Sequence, residues 1–327
     1  MAEDGRNLGG QILAIADEIA RYSASTGGAS AMIRPCVAAL ESSSWPEVAW
    51  SFSGLNQGGC PVEFAFSSRD NALRYTTEVA GPEVETSARL VAACELVRSL
   101  QPEAAFSEQF ARWSSMQSGA ALRWGCWLGI RADAASHRLK LYIEVPQNLS
   151  TEPSLAQPLI PGSELLMIGY DLTGGRTEYY FRQPQMSASQ ADTFQSRMKE
   201  KEQGKGLLSA FADLCAMPIG AALHWVPFGY SLAYVPASRE PQFTFGIRSR
   251  TLGRLDRTRR KFIAYEMSQK RDSCYQAFMG DVPESELPDH GMLSLTAHGD
   301  GVEMRVSVSA GALARLRSRV ATISDGQ

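Results

Sequence analysis

Apolar residues recur along this chain with two periods. From Gly10 to Ser23 the positions Ile12, Leu13, Ile15, Ala16, Ile19 and Ala20 form a stripe at helical spacing. From Pro46 to Ser68 the pattern reads as two strands around a turn at Asn56-Gln57-Gly58-Gly59, residues that tolerate positive φ. The same pair of elements recurs. A helical stretch from Glu83 to Met116, interrupted near Pro102, precedes a hairpin from Ala121 to Pro146 that turns around Ala132 to Ser136. A third hairpin runs from Glu164 to Gln183 through Thr173-Gly174-Gly175. A helix near Ser187 to Cys215 leads into a hairpin from Ala221 to Arg250. A helix near Asp256 to Phe278 leads into a last hairpin from Gly291 to Ser309, turning at His298 to Gly301.

Consecutive hairpins imply an antiparallel sheet of about ten strands, a size at which sheets curl or close. Alternation within each second strand defines its two faces. Leu139, Leu141, Ile143 and Val145 alternate with Arg138, Lys140, Tyr142 and Glu144; Val62, Phe64 and Phe66 flank Glu63. Tyr179 and Phe181 alternate with Arg176, Glu178, Tyr180 and Arg182. Phe243, Phe245 and Ile247 alternate with Arg248 and Arg250, and Val302, Met304, Val306 and Val308 with Glu303 and Arg305. Amphipathic helices need an apolar sheet face to cover, so the charged face points the other way. The pattern by itself allows an open sheet with a solvated charged face or a closed barrel with a charged lumen.

Composition narrows the function. The chain has 327 residues, 44% hydrophobic and 20% charged, and no linker-like segment divides it, so a single domain over 1–327 is expected. A net charge of -3 argues against general nucleic-acid or membrane-surface binding, which needs surplus Lys and Arg. Cys36, Cys60, Cys94, Cys126, Cys215 and Cys274 lack metal or disulfide spacing and read as reduced core residues. His137, His224, His290 and His298 fit no metal spacing and read as structural or exposed. The run Arg254, Arg257, Arg259, Arg260 and Lys261 reads as the solvated face of a helix. Met1 to Gly10 is polar and no window of about 18 apolar residues occurs, so the expected compartment is the cytoplasm.

Four segments carry a resemblance. Pro61-Val62-Glu63-Phe64-Ala65-Phe66 and Leu73-Arg74-Tyr75-Thr76-Thr77-Glu78 are similar to the P-x-E-x-S and V-R-Y-x-x-E segments of the dimethylallyltryptophan synthase family of aromatic prenyltransferases. Lys140-Leu141-Tyr142 resembles that family's K-x-Y strand, and Arg176-Thr177-Glu178-Tyr179-Tyr180 its R-x-K-x-Y strand. The resemblance spans Pro61 to Arg182 as motif, and its shorter length is like that of bacterial members. It implies an α+β fold: a closed barrel of about ten antiparallel strands surrounded by helices in αββα repeats. It also implies transfer of a prenyl group, dimethylallyl favoured, from its diphosphate to an electron-rich aromatic acceptor, with an indole such as tryptophan or a tryptophan-containing compound favoured.

The resemblance further implies roles. Glu63 matches the carboxylate that binds the indole N–H and takes up a proton. Arg74, Lys140 and Arg176 match residues that grip the prenyl diphosphate, and Tyr142 and Tyr180 match tyrosines that shield the allylic cation. The chemistry agrees: preorganised cations stabilise the charge developing on a leaving diphosphate, aromatic faces stabilise the allylic cation and exclude water, and a placed carboxylate removes the ring proton. Magnesium chemistry would need a DDxxD-like cluster, which is absent from the sequence, so no cofactor and no essential Mg²⁺ are expected. The partners expected are the two small-molecule substrates, with no nucleic acid or membrane, and a monomer or homodimer.

Departures from the family pattern are specific. Glu178 stands where the family has Lys. Thr244, Gly246 and Ser307 stand on the inner parity where tyrosines are expected, and Arg248 and Arg305 are candidates to restore the lost positive charge. The Pro-rich stretch between Pro146 and Glu164 lacks a covering helix, which suggests room for a bulkier acceptor. Glu144, two residues beyond Tyr142, is a candidate for a substrate amine, and Trp124 or Trp127 for the acceptor pocket. A non-catalytic barrel that binds a hydrophobic or anionic small molecule is the alternative.

Overall fold

The computed structural model describes residues 8–23, 29–41, 48, 50–104, 106, 108–133, 136–151, 155–183, 185–199, 204–234, 241–253, 263–264, 266–268, 274–279, 282, 288, 290–299 and 301–324. Ten strands form a closed barrel: β1 (Val62–Ser67), β2 (Leu73–Glu78), β3 (Cys126–Ala132), β4 (His137–Glu144), β5 (Glu164–Asp171), β6 (Thr177–Gln183), β7 (Phe228–Tyr234), β8 (Gln242–Arg248), β9 (His290–His298) and β10 (Gly301–Ser309). Every neighbouring pair is antiparallel, and β1 closes the ring by pairing with β10 at Glu63↔Ser309 and Ala65↔Ser307.

The aliphatic parity faces out. Val62, Phe64, Leu139, Leu141, Ile143, Phe245, Leu293, Val306 and Val308 are buried in one continuous apolar layer with Ile12, Ile15, Ile33, Leu90, Leu207, Phe211 and Leu313 of the helices. Burying that layer is what closes the barrel around the opposite, polar parity. The helix Leu8–Tyr22 packs on Ala29–Leu40 and Ala310–Ser324, Arg89–Leu100 packs on β3, and Gly204–Cys215 packs on β9 and on Ile219–Trp225. All six cysteines are buried thiols. Among the described residues no single helix is long and apolar enough to cross a membrane.

Several local readings change, and one lies largely outside the described residues. The first hairpin is β1–β2, turning through 68–72, and not a pair of strands around Asn56. There the Asn56 side chain accepts from the Gly58 and Cys60 amides and donates to the Cys60 carbonyl, closing a turn ahead of β1. Gly59, at φ +73°, completes it. Two helices are additional to the pattern: Ala29–Leu40, with Pro35 inside it, and Ala310–Ser324, which follows directly on β10. The helical stretch near Ser187 is two helices, Ala188–Lys199 and Gly204–Cys215, and Ile219–Trp225 is a third helix ahead of β7. Most of the expected helix from Asp256, including the basic run Arg254 to Lys261, lies outside the described residues; Cys274–Met279 is helical.

The Pro-rich segment carries only the short 3₁₀ turn Gln147–Leu149 among its described residues. Beside it a groove of about 350 Å³ is lined by Leu155, Thr177, Tyr179, Phe181, Leu232 and Tyr234. Those strand residues are on the outer parity, and β5, β6 and β7 remain paired behind them. This groove therefore lies outside the barrel wall.

Candidate active site in the barrel lumen

Register places the polar parity around one lumen. Glu63 lies opposite Thr76, Ala65 opposite Arg74, Arg74 opposite Arg131, Trp127 opposite Tyr142, Gly129 opposite Lys140 and Gly169 opposite Glu178. Directly opposed residues on paired strands share a face, so the candidates of β1, β2, β4 and β6 line the same interior.

Lys140 is the centre of the most developed cluster. Its ammonium donates to Glu178 Oε2 at 2.5 Å and to the Tyr180 hydroxyl at 2.7 Å, and it stands 5.0 and 5.1 Å from the ring centroids of Tyr142 and Tyr180. The two rings meet edge to face at 5.8 Å. Two glycines make the packing possible. A methyl at Gly129 would lie 2.7 Å from the Tyr142 ring, and one at Gly169 would lie 2.5 Å from Lys140 Cε and 3.0 Å from the Tyr180 ring. Tyr180 is held well above the usual phenol range, by burial first and then by the charge of Glu178.

Glu178 joins the cations of this wall. Besides Lys140 it meets the Arg176 guanidinium at 3.7 Å and accepts a hydrogen bond from Ser231 Oγ. Burial would raise its carboxyl, but the charges of Lys140 and then Arg176 outweigh it and hold the group at about 2. Arg176 Nε is buried with no hydrogen-bond partner among the described residues, a donor on the lumen parity.

The remaining predicted cations are held separately. Arg74 pairs with Asp70 at 2.6 Å, and Arg131 reaches the same carboxylate at 3.3 Å. Arg305 binds Glu303 through Nε at 2.7 Å and through its terminal nitrogen at 2.9 Å, while Ser67 and His298 also meet that carboxylate. Arg305 also lies in the field of the Glu178 carboxylate. Arg248, the last residue of β8, is exposed and lies opposite Met292.

Glu63 is set apart from every one of these cations. It is 9% exposed and packs directly on Gly291, where a methyl would overlap its Oε1. Burial pushes its carboxyl up to about 7, with a hydrogen bond from Ser307 only partly opposing this. Ser307 Oγ accepts from the Met292 amide at 2.7 Å, which leaves its hydroxyl hydrogen for Glu63. A carboxyl poised near neutrality suits proton uptake.

Glu78 and Arg131 are lumen residues to which the sequence assigns no role, and Trp127, a candidate for the acceptor pocket, stands with them on the inner parity. Glu78 accepts from Ser53 Oγ at 2.6 Å, from Trp127 Nε1 at 2.9 Å and from Arg89 at 2.7 Å, and burial still raises its carboxyl. Trp127 stacks on Trp124 at 3.9 Å. Arg131 and Trp127 share the inner parity of β3, a signal available from alternation in the first strand of that hairpin. Glu144 does not offer a carboxylate to a substrate amine, because it is consumed by the backbone amides of Arg123, Trp124 and Gly125 at 2.7–3.1 Å. On the far wall the absence of tyrosines holds: Ser231 faces Thr244, which hydrogen-bonds Thr296 at 2.9 Å, and Gly246 faces Ser294.

No protein-family model and no curated protein sequence matches this chain. Solved structures do. A 5-dimethylallyltryptophan synthase from Streptomyces coelicolor, in complex with DMASPP and Trp, is 16% identical and superposes with a TM-score of 0.66, covering 94% of this chain and 95% of that one. The prenyltransferase PriB in its apo form is 17% identical at a TM-score of 0.68, over 94% and 97%. NotF, in complex with brevianamide F and DMSPP, is 13% identical at 0.58, over 90% and 92%. At these identities the likeness is one of architecture, and the chain has the ten-stranded αββα barrel fold of the aromatic prenyltransferases.

Proposed function

We propose that this chain is an aromatic prenyltransferase, moving a dimethylallyl unit from its diphosphate onto an electron-rich aromatic ring, with an indole of tryptophan or a tryptophan-containing compound as the favoured acceptor. The observation that carries the reading is the juxtaposition of Lys140 with two tyrosine rings, beside Arg176 and on the same lumen as a buried, separately held Glu63. The substrates named for the solved neighbours, DMASPP with Trp and DMSPP with brevianamide F, have this chemistry.

In this mechanism Arg74, Lys140 and Arg176, with Arg305 and Arg248 as auxiliary cations, hold the donor's diphosphate. As its carbon–oxygen bond breaks, the electron pair leaves with diphosphate, and each charge-assisted contact contributes about 1.5–3 kcal/mol to stabilising that charge. The allylic cation lies against Tyr142 and Tyr180, whose rings contribute roughly 0.5–2 kcal/mol each and keep water away. The acceptor ring attacks the cation, forming the new carbon–carbon bond, and Glu63 takes up the proton lost. The cations supply the charge neutralisation themselves, so no Mg²⁺ is required. A crystal soaked with a thiolodiphosphate analogue of the donor tests the arrangement. Phosphates among Lys140, Arg176 and Arg74 are expected, and phosphates outside the barrel would overturn it.

A further inference from the structure

One carboxylate stands in the middle of the proposed diphosphate site. Glu178 Oε2 takes the ammonium of Lys140 and faces Arg176, its Oε1 takes the hydroxyl of Ser231, and its field reaches Arg305. The side chain is only 8% exposed. Two of the five cations assigned to the donor thus already share an anion that belongs to the chain. Glu178 is also fixed from both sides, by Lys140 on β4 and Ser231 on β7, so its position is built into the wall.

We propose that Glu178 is an intramolecular competitor for the diphosphate group: donor must displace it from Lys140 and Arg176, and its return to them drives inorganic diphosphate off after transfer. The inference rests on the prenyltransferase reading. Its chemical basis is that a phosphoryl oxygen and a carboxylate oxygen accept from the same ammonium and guanidinium donors, and that two anions cannot share them without repulsion. The site is thereby tuned for weak product binding, and Glu178 becomes a determinant of which donors bind. Donors with a strongly apolar tail retain affinity through the tyrosine-lined wall, whereas the bare diphosphate product does not.

The test is calorimetric titration of inorganic diphosphate into the full chain and into Glu178→Gln and Ser231→Ala, with prenyl transfer by the unaltered protein measured alongside. Glu178→Gln keeps the shape and removes the charge, and should bind diphosphate about tenfold or more tightly and be more strongly inhibited by it. Ser231→Ala frees one side of Glu178 and should tighten binding by a smaller factor. If Glu178→Gln does not fold, Ser231→Ala decides alone. Unchanged or weaker diphosphate binding in the folded variant overturns the proposal, since Glu178 would then be positioning the cations for phosphate. If the unaltered protein transfers prenyl groups while diphosphate affinity is unmoved by either variant, this inference fails and the function stands. If it transfers none and diphosphate binds neither form, both fail.

Discussion

Glu63 and Gly291 are fitted to each other across β1, β10 and β9: the carboxylate of Glu63 rests where any side chain at 291 would have to go. That contact fixes the proposed base without giving it a cationic partner. Glu63→Gln is expected to lower kcat by about 10²- to 10⁴-fold while leaving donor affinity nearly unchanged. Gly291→Ala should do the same with Glu63 intact, by pushing its carboxylate out of place. Steady-state kinetics with separate KM and kcat values check both. Unaltered turnover in Glu63→Gln removes Glu63 from the mechanism.

The buried carboxylates give stability a signed pH dependence. Glu63 titrates at about 7 in the fold against 4.5 ordinarily, so its contribution is fully present below pH 4.5 and is lost as pH rises through 7. Chemical denaturation at pH 8 should therefore find Glu63→Gln more stable than the parent, by up to about 3 kcal/mol, with the gap closing toward pH 5. Glu178 and Glu303 have the opposite sign. Each is held at about 2 against 4.5, so their stabilisation is present above pH 4.5 and is lost as pH falls toward 2. Flattened acid sensitivity in Glu303→Gln checks that limb. The same titration of Glu63 predicts a rate that rises with pH through 7.

Tyr142 and Tyr180 are expected to act on the fate of the cation more than on binding. Tyr142→Ala should raise the share of dimethylallyl diphosphate that is hydrolysed instead of transferred, because the rings that exclude water are opened. Partitioning of labelled donor between prenyl alcohol and prenylated acceptor measures this. An unchanged ratio would make the tyrosines mere packing.

Arg74 differs from Lys140 in its partner. It shares Asp70 with Arg131, so Arg74→Ala leaves that carboxylate paired and the fold intact. Donor affinity, measured by titration with the thiolodiphosphate analogue, should fall about tenfold, the value of one charge-assisted hydrogen bond. Unaltered affinity refutes the assignment of Arg74 to the donor site.

How much of this was legible depended on the kind of signal. The lumen face was readable because strands alternate strictly, and Leu139, Leu141 and Ile143 against Lys140 and Tyr142 leave no doubt of parity. Closure was not: alternation is identical in an open sheet, and the resemblance of four segments supplied the barrel. Arg131 escaped because alternation was followed on the second strand of each hairpin, while it lies on the first. Pairings such as Lys140 with Glu178 or Glu63 with Gly291 depend on register across strands, and register is set by turns and bulges that local pattern does not encode. The first turn illustrates this: Asn56 looked like a hairpin tip, but its side chain folds back on the backbone and the chain turns after Ser67 instead.

Prenyl transfer inside this barrel is what every residue role above depends on. It is tested most directly by incubating the purified chain with labelled dimethylallyl diphosphate and EDTA, together with tryptophan, other indoles, phenols and tryptophan-containing peptides, and following label by chromatography and mass spectrometry. An aromatic product carrying one dimethylallyl unit is expected, formed by the parent and strongly reduced in Glu63→Gln. Absence of any prenylated product across the acceptors, with the donor left intact, would contradict it.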